Sequence, residues 1–362
     1  MKYTRRRFIS TLGAGSALIM ASSIPGFSNN IFQDKNKKLG VALVGLGSYA
    51  SYQLAPALLE TSSCYLSGIV TGTPSKIDTW KNKYKIPDEN IYNYDNFDKI
   101  INNKSIDVVY VVLPNSMHSE FTIRAAKAGK HVFCEKPMAL SSRECAEMIS
   151  ACKNAGVRLF VGYRCHTDPF HKTAMNFKNT SVGALKVVQS EFGFRSGDPK
   201  QWRLRKAHGG GALMDVGIYS IQGSRYSIGK EPISVSAHEY KTDNVKFAEV
   251  DETMIWQMEF PGGIASSCIC SFNAPFNRLH ITAENGWFEI NNAYSYGGLR
   301  ATSNRGPVDI KPVNQQAVQM DTFCKSIVDG SESDADGSEG LRDMRIIEAI
   351  FKSAKSGTMV IL

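Results

Sequence analysis

Three side chains of this sequence combine into proton-moving chemistry. Phe133-Cys134-Glu135-Lys136-Pro137 closes a short apolar run. That puts Lys136 at the carboxyl end of a strand, the edge where open α/β sheets bind ligands. Further on, Gly209-Gly210-Gly211 leads into the helical pattern Ala212-Leu213-Met214-Asp215-Val216-Gly217-Ile218-Tyr219. Asp215 and Tyr219 are four apart and project from one helix face. A lysine, a carboxylate and a phenol form a relay able to take a proton from an alcohol as hydride departs, with Lys136 favouring the phenolate and making Tyr219 a usable base. By spacing alone, bland roles fit as well: a Lys136–Glu135 salt bridge, Asp215 as a helix-face charge and Tyr219 as core packing.

A departing hydride needs an acceptor, and the sequence offers a place for one. Gly45-Leu46-Gly47-Ser48-Tyr49-Ala50 is G-x-G-x-x-A between an apolar strand and a helix. Gly45 permits the tight turn, Gly47 leaves room for a pyrophosphate, and Ala50 lets the helix approach the strand. Ser67-Gly68-Ile69-Val70-Thr71-Gly72-Thr73, ending the second strand, carries no acid of the kind that holds the ribose hydroxyls of NAD. Thr71, Thr73 and Lys76 offer hydroxyls and a cation for a 2′-phosphate, so NADP is favoured over NAD. The alternative is an ordinary lysine on a solvated helix start.

The positioning elements follow the same logic. Strand-like runs at 39–44, 66–71, 108–113, 131–134 and 158–162 alternate with helical patterns at 51–60, 75–83, 119–128 and 142–155. Strict alternation predicts a doubly wound parallel sheet, an α/β Rossmann domain over 39–162. From about residue 165 longer strand-like runs appear at 185–194, 233–240, 251–260, 264–272 and 278–284, split by turn signals such as Pro261-Gly262-Gly263. They predict a second, α+β domain over 163–362 with a mostly antiparallel open sheet, closed by a helix at 338–356.

The 362-residue chain, 43% hydrophobic and 21% charged, is long enough for two domains and has a soluble globular composition. Of its +8 formal charge, +6 lies in the first 38 residues, where seven lysines and arginines face Asp34 alone. The remainder is near neutral, so nucleic-acid or membrane-surface binding is not inferred. Thr4-Arg5-Arg6-Arg7-Phe8-Ile9-Ser10, followed by an apolar run too short for a membrane span, reads as a twin-arginine export signal over 1–28. This implies the Tat machinery as a partner, folding before export and a periplasmic address. Residues 29–38 form a polar linker arm. The eight cysteines include no C-x-x-C pair and no His cluster at metal-ligand spacing. Buried free thiols and no metal are expected.

The segments Gly45–Ala50, Leu113–His118 (LPNSMH), Ala128–Met138 (AGKHVFCEKPM), Val161–His166 (VGYRCH), Gln201–Arg205 (QWRLR) and Gly209–Gly229 resemble the glucose–fructose oxidoreductase/inositol dehydrogenase superfamily. The resemblance runs from about residue 39 to the C-terminus, plus the leader. It implies that Lys136 and Tyr219 are catalytic and that Asp215 positions the sugar or tunes the pair; many relatives carry His where Tyr219 stands. By the same resemblance Gly45, Gly47, Ser48, Tyr49, Ala50, Thr71, Lys76, Leu113, Asn115, His118, Glu135, Lys136, Arg164, Trp202 and Arg203 line the cofactor or the pocket between domains. The implied reaction is ping-pong: an aldose yields its lactone with bound NADP, and fructose or a second aldose becomes a polyol. A homo-oligomer, dimer or tetramer, is also implied. The best-known member has a long proline-rich arm that wraps a neighbouring subunit; the ten residues here are too few to reach far. Other readings are an NAD-dependent glycosidase or inositol/sugar dehydrogenase of the superfamily, and a non-enzymatic dinucleotide-bound sensor or chaperone partner.

Overall fold

The computed structural model describes residues 37–198 and 200–362. The export signal and all but the last two residues of the linker arm lie outside the described residues. Six strands form the first sheet: β1 (Leu39–Val44), β2 (Cys64–Val70), β3 (Ile91–Tyr92), β4 (Val108–Val111), β5 (His131–Cys134) and β6 (Leu159–Val161). Their order is β3-β2-β1-β4-β5-β6, all parallel. The strand order reverses between β1 and β4, and a ligand crevice opens at such a switch point. β1 and β4 are buried along their whole length, as parallel strands covered on both faces must be.

The helix expected over 51–60 is shorter and split. Residues 50–54 form a π-turn, and α1 covers only Ala55–Leu58. Pro56 has no N–H to give to the carbonyl of Tyr52, and the preceding turn widens around that missing bond. Around the same sheet lie α2 (Ile77–Tyr84), α3 (His118–Lys127) and α4 (Ser142–Asn154), the last capped by Ser141 accepting from the Glu144 N–H.

After α5 (Pro169–Asn176), β7 (Leu185–Gly193) opens a second sheet. α6 (Ile218–Ile228) follows, then β8 (Ser234–Tyr240), β9 (Thr253–Phe260), β10 (Ile264–Ser271), β11 (Phe276–Ala283), β12 (Gly286–Asn291), β13 (Arg300–Ser303) and β14 (Gly306–Val308). α7 (Gln315–Asp329), α8 (Gly337–Ser356) and β15 (Val360–Ile361) end the chain. The sheet order is β14-β13-β12-β11-β7-β10-β9-β8-β15, antiparallel except for the β7–β10 pair. β9 alternates cleanly, with Met254, Trp256, Met258 and Phe260 on the buried face. α6 is buried around nearly its whole circumference, and Ser220, Gly223, Ser224 and Ser227 let it lie close to the sheet.

No helix is expected over 315–329 from the sequence, yet α7 forms there, capped by Asn314. The last two helices also pack back toward the first sheet. Asp321 of α7 accepts from the Ser62 and Ser63 N–H groups, and Val161 N–H donates to Ala335 O at 2.8 Å. All eight cysteines are free and buried. Among the described residues no helix is long and apolar enough to cross a membrane, and no group of His, Cys, Asp or Glu could hold a metal ion.

Candidate active site

The dinucleotide turn follows β1 directly. Gly45 has φ +95°, and a Cβ there would stand 2.5 Å from the Val112 carbonyl oxygen, so only glycine fits. Gly47 differs: nothing lies within 4 Å of where its Cβ would be. Space above the turn and a helix start at Ser48 together make a cradle that fits a pyrophosphate. Ala50 is fully buried against the sheet. At the end of β2, Thr71 accepts from the Thr73 N–H, and Lys76 reaches back to donate to Leu46 O at 2.7 Å. A threonine hydroxyl and a lysine therefore flank the turn where a 2′-phosphate would lie, with no carboxylate among them.

Leu113 and Asn115 follow β4. Leu113 packs against Gly45, and Asn115 Nδ2 donates to Gly209 O, tying the first half to the glycine run of the second. His118 is the first residue of α3. It is buried, and both its ring nitrogens lie 2.9 Å from carbonyl oxygens, Nδ1 from Pro137 and Nε2 from Leu113. A neutral ring carries one N–H, so it donates to one of these two carbonyls, and which one depends on the tautomer. Burial lowers its pKa, and the two carbonyls oppose that.

Lys136 leaves β5 at the carboxyl edge and does not pair with Glu135. Its Nζ donates to Asp215 O at 2.7 Å and to Asp215 Oδ1 at 3.3 Å. Arg203 Nε takes the other carboxylate oxygen at 2.6 Å. The glycine run folds back on Arg203 and Arg205 through Gly211 and Gly210 N–H bonds, which sets Arg203 opposite Asp215. Trp202 lies against the Arg203 guanidinium at 4.7 Å. Burial alone would raise the Asp215 pKa; Arg203 and Lys136 reverse it, down to about 2. Asp215 is an anion at every working pH.

Tyr219 enters the same site from the next helical turn. Its ring meets Phe192 and Tyr294, each at 5.5 Å, and carries two cations on its faces, Lys136 at 4.7 Å and Arg164 at 5.0 Å. Lys136, expected to favour the phenolate, lies over the face of the ring. Arg164 lies over the ring as well, and its charge favours the phenolate. Burial outweighs Arg164 and pushes the Tyr219 pKa well above the ordinary tyrosine range, so the phenol is held neutral.

Arg164 is fully buried and donates to the carbonyls of Tyr294 and Ser295 and to Gln315 Oε1. Glu135, also buried, accepts from the Tyr110 hydroxyl at 2.7 Å; burial raises its pKa, and Tyr110 and Lys136 oppose the rise. Tyr49 of the dinucleotide turn lies 5.8 Å from Tyr296, and burial raises its pKa. Tyr110, Asp251, Tyr294, Tyr296 and Gln315 were not singled out from the sequence. Asp251 accepts the Leu213 N–H at 2.7 Å, which anchors the start of the helical segment bearing Asp215 and Tyr219. Tyr294-Ser295-Tyr296 ahead of Gly297-Gly298 is a readable aromatic–turn signal; Gln315 has none.

Residues 39–163 match the oxidoreductase family with an NAD-binding Rossmann fold, and 176–289 match the GFO/IDH/MocA C-terminal domain. Among solved structures, aldose-aldose oxidoreductase from Caulobacter crescentus, complexed with glycerol, is 41% identical with a TM-score of 0.88, covering 90% of this chain and 100% of that one. D-xylose 1-dehydrogenase (NADP(+)) of Haloarcula marismortui is 26% identical over 360 residues, covering 92% of this chain and 97% of the relative. D-xylose 1-dehydrogenase (NADP(+)) 2 of Haloferax volcanii is 28% identical over 276 residues, covering 74% and 84%. The chain belongs to the GFO/IDH/MocA family of NAD(P)-dependent oxidoreductases.

Proposed function

We propose that this protein is an exported sugar oxidoreductase that keeps NADP bound, oxidises an aldose at C1 to its lactone and reduces a second sugar, an aldose or fructose, to a polyol. The observation that carries the reading is the buried Lys136–Asp215–Arg203 cluster meeting Tyr219 at the sheet edge beside an acid-free dinucleotide turn. Its likeness to an aldose-aldose oxidoreductase, and to two NADP xylose dehydrogenases, supports the same substrate class and cofactor.

The residues divide the work. Ser48, Tyr49 and Ala50 at the helix start would hold the pyrophosphate, and Thr71 and Lys76 would take the 2′-phosphate. When bound, NADP would supply the hydride acceptor and donor that links the two sugars. Lys136 and Arg203, fixed by ionised Asp215, orient sugar hydroxyls with little reorganisation, because both cations are already paired. Tyr219, neutral at rest, donates its proton to the alkoxide oxygen of the sugar being reduced. In the oxidising direction the phenolate takes the proton of the sugar hydroxyl; resting enzyme forms that phenolate by losing its proton to water, the reducing step leaves it behind, and Arg164 and Lys136 favour it.

The leader and the twin-arginine route fit this cycle, since an enzyme that regenerates its own cofactor needs no soluble nucleotide pool in the periplasm. A homo-oligomer completes the reading. The test is the ultraviolet spectrum of protein purified without added nucleotide. A nicotinamide band that glucose reduces once, and a second sugar reoxidises, supports it. Nucleotide-free protein that oxidises glucose only with a continuous NADP supply turns the reading into a plain xylose-dehydrogenase-like enzyme. Export is tested separately by Arg5→Lys/Arg6→Lys, expected to leave the protein in the cytoplasm.

A further inference from the structure

We infer that Tyr296 is the sugar platform of this site: its ring takes the C–H face of a pyranose whose hydroxyl rim meets Lys136, Asp215 and Arg203. The inference rests on the carbohydrate reading above and adds the residue that would select for a ring-shaped substrate.

Three tyrosines crowd the second-domain side of the site, and they differ in exposure. Tyr219 is 8% exposed and Tyr294 2%, whereas Tyr296 is 51% exposed. An exposed aromatic usually sits on a mobile loop, but this one does not. Arg164 holds the carbonyls of Tyr294 and Ser295, and the Asn277 side chain accepts from Tyr294 N–H at 2.7 Å and donates to Ser295 Oγ at 3.0 Å. Ser295 N–H closes a turn onto Asn292 O at 3.1 Å. The Tyr296 ring then lies on the Arg164 guanidinium at 4.7 Å. A ring so fixed loses little freedom when a ligand covers it.

Its location is equally specific. One neighbour is Tyr49 of the dinucleotide turn, at 5.8 Å. Arg164 joins it to the charged cluster, lying 4.7 Å from the Tyr296 ring and 5.0 Å from the Tyr219 ring that Lys136 also covers. The ring therefore borders both the cofactor turn and the site of Tyr219. The ring itself is half exposed, so one side of it is free to be covered. A pyranose offers an apolar C–H face ringed by hydroxyls, which matches an aromatic surface beside a charged cluster; concave sites of this kind pair apolar walls with a few placed polar groups.

The test uses holoenzyme with D-glucose and D-xylose as probes, reading KM, kcat and glucose binding by calorimetry for Tyr296→Ala, Tyr296→Leu, Tyr296→Phe and Tyr296→Trp. Leucine keeps the bulk and loses the ring, which guards against a variant that merely fails to fold. Ala and Leu are expected to raise KM and the glucose dissociation constant about 10- to 100-fold, with kcat and bound NADP nearly unchanged. Phe and Trp should stay within about threefold of wild type. Wild-type KM in both Ala and Leu overturns the inference, as does a loss confined to kcat or to NADP retention, which would make Tyr296 a buttress for Arg164 and Tyr49. Wild type that binds glucose through Tyr296 but never oxidises it sinks the oxidoreductase reading alone; wild type that binds neither sugar sinks both.

Discussion

The dinucleotide turn and the proton-handling cluster occupy one sheet edge and are built on opposite principles. The turn is backbone and space: Gly45 is wedged against Val112 while Gly47 faces nothing, and no carboxylate lines it. The cluster is buried charge: Asp215 held by Lys136 and Arg203, and Tyr219 covered by Lys136 and Arg164. The contrast teaches that holding a phosphate needs room and oriented N–H groups, whereas moving a proton needs side chains already desolvated and paired.

Breaking the cluster should have the largest effect. Lys136→Ala and Tyr219→Phe are each expected to lower turnover about a thousandfold while NADP stays bound, measured as kcat beside nucleotide content. Equal turnover in both variants would remove the relay from the mechanism.

Within the turn, two alanine substitutions should separate strain from space. Gly45→Ala forces a side chain at φ +95° against Val112 and is expected to cost about 2–4 kcal/mol of stability in denaturant unfolding. Gly47→Ala meets no protein atom, so stability should hold within about 0.5 kcal/mol while NADP affinity drops at least about tenfold.

What was legible in the sequence follows this same division. The turn, the strand alternation and the Lys136 edge are local patterns, written within a few residues of each other. The cluster is assembled across the chain: Lys136 meets Asp215, and Arg164 is held by Tyr294, Ser295 and Gln315, more than a hundred residues away. No spacing rule connects those positions. The face shared by Asp215 and Tyr219 was readable because four residues return to one side of a helix. The sign of the Tyr219 shift was not, because burial decides it and burial belongs to the folded chain. The surroundings of His118 were hidden for a related reason: the carbonyls of Leu113 and Pro137 that face its ring nitrogens are brought there by the fold.

The pH dependence sharpens the comparison further. Tyr219 is protonated below its raised pKa, so aldose oxidation, which needs the phenolate, should climb with pH from about 6 to 9 without a plateau. Sugar reduction, which needs the phenol, should stay flat over that range. Rapid-mixing traces of each half-reaction read both, and a plateau in oxidation near pH 7 would mean the phenol is not held neutral. The smallest effect belongs to the rim of the turn. Lys76→Ala should weaken NADP about tenfold and leave NAD unchanged, seen in competitive titrations of nucleotide-stripped protein.

The most direct measurement follows the hydrogen itself. Protein purified with its own nucleotide is given C1-deuterated glucose and an unlabelled second sugar, with a large excess of unlabelled NADPH in solution. Deuterium carried into the polyol undiluted is the predicted result. A polyol without deuterium would show that the two sugars never share one bound cofactor.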